Sequence, residues 1–79
     1  MLKIDRTFQW NGEQIPEDHW LNQDYDIGYL RTEGSLYVID KSANVLHIEK
    51  GDYIIKFYHV LIECTEEQFN VIMEDYNAD

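Results

Sequence analysis

Between residues 33 and 52 turn chemistry recurs so often that only short strands fit between the breaks. Glu33-Gly34-Ser35, Lys41-Ser42-Ala43-Asn44 and Lys50-Gly51-Asp52 are built from residues that tolerate left-handed backbone or hydrogen-bond their own turn. They separate the runs Tyr25 to Arg31, Leu36 to Asp40, Val45 to Glu49 and Tyr53 to Phe57. Short runs bounded in this way read as strands of an antiparallel meander. In the third run Leu46 and Ile48 point one way while His47 and Glu49 point the other, the period of two that a strand imposes. Gly51 is expected to supply a positive φ in its turn.

Residues 2 to 10 alternate similarly, with Leu2, Ile4, Phe8 and Trp10 against Lys3, Asp5, Thr7 and Gln9, and Asn11-Gly12 ends that strand. Arg6 interrupts the apolar side and is expected to reach an edge along its aliphatic stem. A short helix is expected over 16 to 22, with Pro16 at its first position, Glu17 and Asp18 at its positive end, and Trp20 and Leu21 packed on the sheet. From Lys56 to Glu63 two layouts are open, a tight turn using His59 or one strand continuing through a bend. We take two strands with a kink near Tyr58-His59. Thr65 and Gln68 form a capping box, and Phe69, Ile72, Met73 and Tyr76 then make one helical stripe. Glu74 and Asp75 lie at the wrong end of the dipole, so the last turn is expected to fray. The expected fold class is α+β in a single domain, 1–79. It has a twisted antiparallel sheet of about five or six strands, a short helix after strand one, and a C-terminal helix packed on one face.

A chain of 79 residues lies near the lower size at which a core holds without staples, and Cys64, the single cysteine, cannot form a disulfide within the monomer. A lone thiol suits a reducing compartment. No apolar run approaches the ~20 residues of a membrane span, and the first residues lack signal-peptide anatomy, so a soluble intracellular protein is expected. Sixteen acids against six bases give a net charge of −10. Direct nucleic-acid binding is disfavoured, because it needs Lys and Arg to displace counterions, and anionic membranes are disfavoured likewise. A basic partner is favoured, unless the acidity serves solubility alone.

Gly51-Asp52-Tyr53-Ile54-Ile55-Lys56, followed by Cys64 and by Phe69 five residues later, resembles a family of small bacteriophage-encoded proteins. The C-terminal half of that family reads roughly P-G-D-[WY]-I-I-K-G, a short turn, then E-F-Y-P-C-x-P-x-x-F. The resemblance covers about residues 46 to 69, and Phe8-Gln9-Trp10-Asn11-Gly12 loosely. It implies a phage or prophage product acting in the host cytoplasm, and it implies no particular reaction. The chain lacks the family's glycine turn after the lysine and its prolines around the cysteine, so a function tied to that loop does not carry over.

Catalysis needs a convergent set of groups. Candidate nucleophiles are Cys64, Ser35 and Ser42, and candidate bases are His19, His47 and His59, but no motif joins them. Cys64 precedes a helix, which would lower its pKa, although such cysteines more often pack as small apolar residues. No metal-ligand spacing and no phosphate-binding glycine loop is present, so neither catalytic residues, nor a metal, nor a cofactor is expected.

Binding is the remaining class. Two tryptophans, six tyrosines and three phenylalanines exceed what one small core needs. Tyr25, Tyr29, Tyr37, Tyr53 and Tyr58 lie on or beside expected strands, where they either complete the core or anchor a partner. Glu13, Glu17, Asp18, Asp24, Asp26 and Glu33 crowd the first half, with Arg31 alone offsetting them between Gly12 and Asp40. They form either a solvated face or an imitation of a phosphate backbone. The expected partner-binding residues are Glu17, Asp18, Asp24, Tyr25, Asp26, Tyr29 and Glu33. The expected role is a non-catalytic phage accessory protein that inhibits a host defence or regulatory protein, in the manner of an anti-CRISPR or an acidic nucleic-acid mimic, by binding its basic surface. That surface could belong to a nucleic-acid-binding protein, and the chain could be a homodimer. The alternatives are an oligomeric sponge for a nucleotide signal, with Arg31, Lys41, Lys50 or Lys56 holding phosphate, and a minor virion or assembly protein.

Overall fold

Three hairpins account for most of the backbone pairing. In a computed structural model that describes residues 3–58 and 60–78, the elements are β1 (Ile4–Gln9), α1 (Trp20–Asp24), β2 (Asp26–Leu30), β3 (Ser35–Ile39), β4 (Val45–Glu49), β5 (Tyr53–Phe57), β6 (Val60–Cys64) and α2 (Glu66–Asn77). β2, β3 and β4 are consecutive hairpins, with Leu36 opposite both Tyr29 and Ile48. The turn between β3 and β4 is closed by Asp40, whose Oδ1 accepts from the backbone N–H groups of Ser42 and Asn44, both at 2.9 Å. β5 and β6 pair antiparallel from Tyr53↔Cys64 to Phe57↔Val60, so the chain reverses directly after Phe57. Tyr58 takes φ 54, in the left-handed region that the tight turns of two-residue hairpins use. The two-strand layout therefore holds; the expected role of His59 lies outside the described residues.

The α+β class and the C-terminal helix stand, but the single expected sheet does not. The six strands form two three-stranded antiparallel sheets, ordered β1-β5-β6 and β2-β3-β4. The break falls at Lys50-Gly51-Asp52. Asp52 N–H donates to the Glu49 carbonyl at 2.9 Å, which closes a tight corner. Gly51, at φ 97, then donates to the Trp10 carbonyl at 2.9 Å, and Trp10 N–H donates to the Asp52 carbonyl at 3.1 Å. The end of β1 is thus locked to the chain as it leaves the corner, so β5 takes β1 as its neighbour, with Phe8 opposite Ile54, in place of β4.

The two sheets bury their inner faces against each other. Leu36, Val38 and Ile48 from one and Ile54 from the other are fully buried, and Trp10, Ile15, Leu21, Leu46 and Leu61 complete the cluster. The opposite face of β1-β5-β6 carries Tyr53, Ile55, Ile62 and Cys64, which pair directly across β5 and β6. α2 lies on this face and stacks Phe69 on Tyr53, with centroids 3.8 Å apart. The capping box is formed as expected: the Thr65 hydroxyl accepts from Gln68 N–H at 3.1 Å and Gln68 Oε1 accepts from Thr65 N–H at 2.9 Å.

The first helix is shorter and later than expected, Trp20–Asp24 in place of 16–22. Asn22 Nδ2 donates to the carbonyls of Ile15 and Pro16 at 2.9 and 2.8 Å, and His19 N–H also donates to Pro16. These bonds hold residues 16 to 19 as a separate turn, so Glu17 and Asp18 precede the helix and His19 caps it through Nδ1. Leu21 is fully buried, and Trp20 packs against the core. Arg6 is exposed and holds its guanidinium carbon 6.0 Å from the Trp20 ring centroid, at the outer limit of a cation–π contact.

Candidate functional site

Strand register separates the tyrosines by face. Alternation along β2 and β3 turns Ile27, Tyr29, Leu36 and Val38 inward, so Asp26, Gly28, Tyr37 and Ile39 face outward, with Val45 and His47 beside them on β4. Tyr25 and Tyr29, both expected to meet a partner, are instead half-buried against the core. Tyr25 packs edge-on to Trp20, and the Tyr29 hydroxyl accepts from Ile15 N–H at 2.9 Å. Tyr37 is the tyrosine that the outer face presents; its ring stacks on His47 at 4.8 Å. Val45 is 58% exposed and Ile39 39% exposed in the adjoining row. Gly28 sits opposite Tyr37, and a Cβ added there would meet nothing within 4 Å.

The expected acidic residues are all exposed. Asp24 and Asp26 flank the junction of α1 and β2, where they line a cleft with Asp40 and Lys41. Glu17 and Asp18 lie in the turn before α1, and Glu33 lies in the β2–β3 turn at the other end of the strand. The seven residues therefore do not make one patch: Asp24 and Asp26 adjoin the outer sheet face, whereas Tyr25 and Tyr29 belong to the interior. Among the described residues the salt bridge is Lys56 to Asp5, at 3.6 Å, and it involves none of these acids.

A cavity of about 360 Å³ opens at the β2–β3 turn, lined by Trp10, Gly12, Gln14, Tyr29, Leu30, Arg31, Gly34 and Ser35. In the sequence Trp10 reads as an alternating strand residue, and Ser35 as turn chemistry and a candidate nucleophile, so neither is marked there as a cavity residue. Arg31 is among the cations expected from the sequence to hold phosphate in the nucleotide-sponge alternative.

Cys64 is buried, and burial followed by the carboxylates of Asp52 and Glu63 pushes its thiol pKa up. These effects oppose the helix N-terminus, so the packing reading of this cysteine is the one supported. His19 lies edge-on to Phe8 and stacks on Trp20. No hydrogen bond joins Cys64, Ser35 or Ser42 to a histidine among the described residues. No group of three or more His, Cys, Asp or Glu among them is placed to hold a metal ion. No helix there is long and apolar enough to cross a membrane.

Comparison with protein-family models, with curated proteins and with solved structures finds no match to this chain.

Proposed function

We propose that the chain is a non-catalytic phage accessory protein that inhibits a host defence or regulatory protein by docking on its basic surface, inside the infected cell. The observation that supports this reading best is the meeting of two features on one side of β2-β3-β4. Exposed Asp24 and Asp26 adjoin an outer face on which Tyr37, His47, Ile39 and Val45 have no covering element among the described residues. Apolar anchors beside unpaired charge are what a desolvated contact with a charged rim requires. The net charge of −10 gives such docking long-range attraction to a basic partner.

Gly28 adds support. Its φ is not in the left-handed region, and neighbouring atoms leave room for a side chain, so neither backbone nor packing demands glycine here. A strand glycine with open space above it admits close approach by another backbone. The phage origin rests on the resemblance carried by Gly51 to Lys56, Cys64 and Phe69.

Two variants test the reading. Reversing Glu17, Asp18, Asp24 and Asp26 to lysine is expected to abolish capture of a host partner at low salt while the circular dichroism spectrum is kept; native capture should fade as salt screens it. Gly28→Val suits a strand better than glycine and is expected to leave the fold intact while weakening the same capture. Normal binding by the charge-reversed protein would refute electrostatic docking.

A further inference from the structure

We propose that the cavity at the β2–β3 turn is a binding site for a small anionic ligand that carries one planar ring. This goes beyond the docking surface, which lies on the outer sheet face. In a chain with sixteen acids, the lining of this cavity includes Arg31 and no carboxylate. Clefts elsewhere among the described residues carry Glu63 and Glu67, or Asp24 and Asp40, or Glu13. Lys50 lies close by, its side-chain carbons 3.4 to 3.8 Å from the position of a Cβ on Gly12.

Donors without acceptors carry the argument further. Ser35 is 3% exposed, the buried polar residue among the described ones, and its hydroxyl makes no hydrogen bond to any of them. Among the described residues no fully enclosed side-chain nitrogen or oxygen lacks a partner, and Ser35 is one of the residues that line this cavity. The Tyr29 oxygen accepts from Ile15 N–H, which leaves its own proton free to donate. Arg31, Ser35, Tyr29 and Gln14, each with a side-chain donor, line one volume, and a buried donor gains most from a charged acceptor.

The walls specify the rest of the ligand. Trp10, Tyr29 and Leu30 offer aromatic and apolar surface. Gly12 and Gly34, both at positive φ, belong to the cavity's lining. About 360 Å³ is at the small end of ligand pockets and suits a single ring with one anionic substituent. That chemistry has two sources, a nucleoside monophosphate or an aromatic carboxylate.

The test is a titration followed by amide and indole NMR, with adenosine monophosphate in one arm and 4-hydroxyphenylacetate in the other. Saturable shifts at Gly12, Arg31, Gly34, Ser35 and the Trp10 indole with either probe support the site, and the arm that saturates identifies the source. Arg31→Glu is expected to weaken binding about tenfold or more, since it replaces a charged donor by a repelling acceptor. Ser35→Ala, a milder change that keeps the fold, should weaken it about threefold. Saturation by neither probe, shifts that map to another surface, or undiminished binding by a folded Arg31→Glu protein would overturn the proposal.

Discussion

The two faces of the sheet β1-β5-β6 are covered in different ways. Its inner face meets a second sheet, and the contact excludes water fully at Ile54, Leu36, Val38 and Ile48. Its outer face meets α2, which contributes no buried residue; Phe69, Ile72, Met73 and Tyr76 stay half-exposed above buried Ile55 and Cys64. A helix of 12 residues is marginal by itself in water. α2 therefore depends on its capping box and on one aromatic stack, while the sheets depend on each other. Stability is concentrated between the sheets, and the helix is a cover.

The strongest way to break this distinction is Leu36→Ala. A fully buried leucine cut to alanine typically costs roughly 2–5 kcal/mol, a large share of what so small a domain holds. Hydrogen exchange should then show β3 and β5 losing protection together, as one unit. Loss confined to β2-β3-β4 would mean that each sheet stands alone.

Phe69→Ala ranks next. The side chain is half-buried, so removing it and its stack on Tyr53 should cost roughly 1–2 kcal/mol. Exchange should accelerate throughout α2 while the amides of β1 and β5 keep their protection. If the sheet amides accelerate equally, the helix belongs to the cooperative core and the distinction fails.

Local chemistry was legible in the sequence, and long-range pairing was not. The runs at Val45 to Glu49 and Tyr53 to Phe57 match β4 and β5 residue for residue, because a turn residue bounds each of them. The Thr65–Gln68 box likewise needs only four consecutive residues. The choice of β1 over β4 as the partner of β5 is made by two hydrogen bonds between Trp10 and the corner at Gly51 and Asp52, residues some forty positions apart, and no turn signal encodes that. The same limit applies to the surfaces. Exposure of the acids follows from their charge, but whether Tyr29 or Tyr37 faces inward depends on register parity within a hairpin whose buried side the sequence leaves open. Trp10 and Ser35 became cavity residues only once β1 was placed beside the β2–β3 turn.

The smallest expected effect concerns Glu63, on the inward-facing side of β6 opposite Ile54. Burial raises its pKa above the usual carboxylate range, with Asp52 and Glu49 adding to the rise and His47 opposing it. The folded protein thus holds this proton more tightly than the unfolded chain does. As pH rises from the ordinary carboxylate value through the raised one, the unfolded state releases its proton first and the fold loses stability; above that window the loss is constant. Glu63→Gln removes the ionisation, so it should stabilise the protein at neutral pH, and the advantage should shrink to nothing below the carboxylate range. The side chain is exposed enough for solvent to screen it, which limits the gain to roughly a few tenths of a kcal/mol. Denaturant midpoints for both proteins, followed from below the ordinary carboxylate range to neutral pH, measure it. A glutamine variant less stable at neutral pH would show that this carboxylate is held by a favourable contact at the margin of the core.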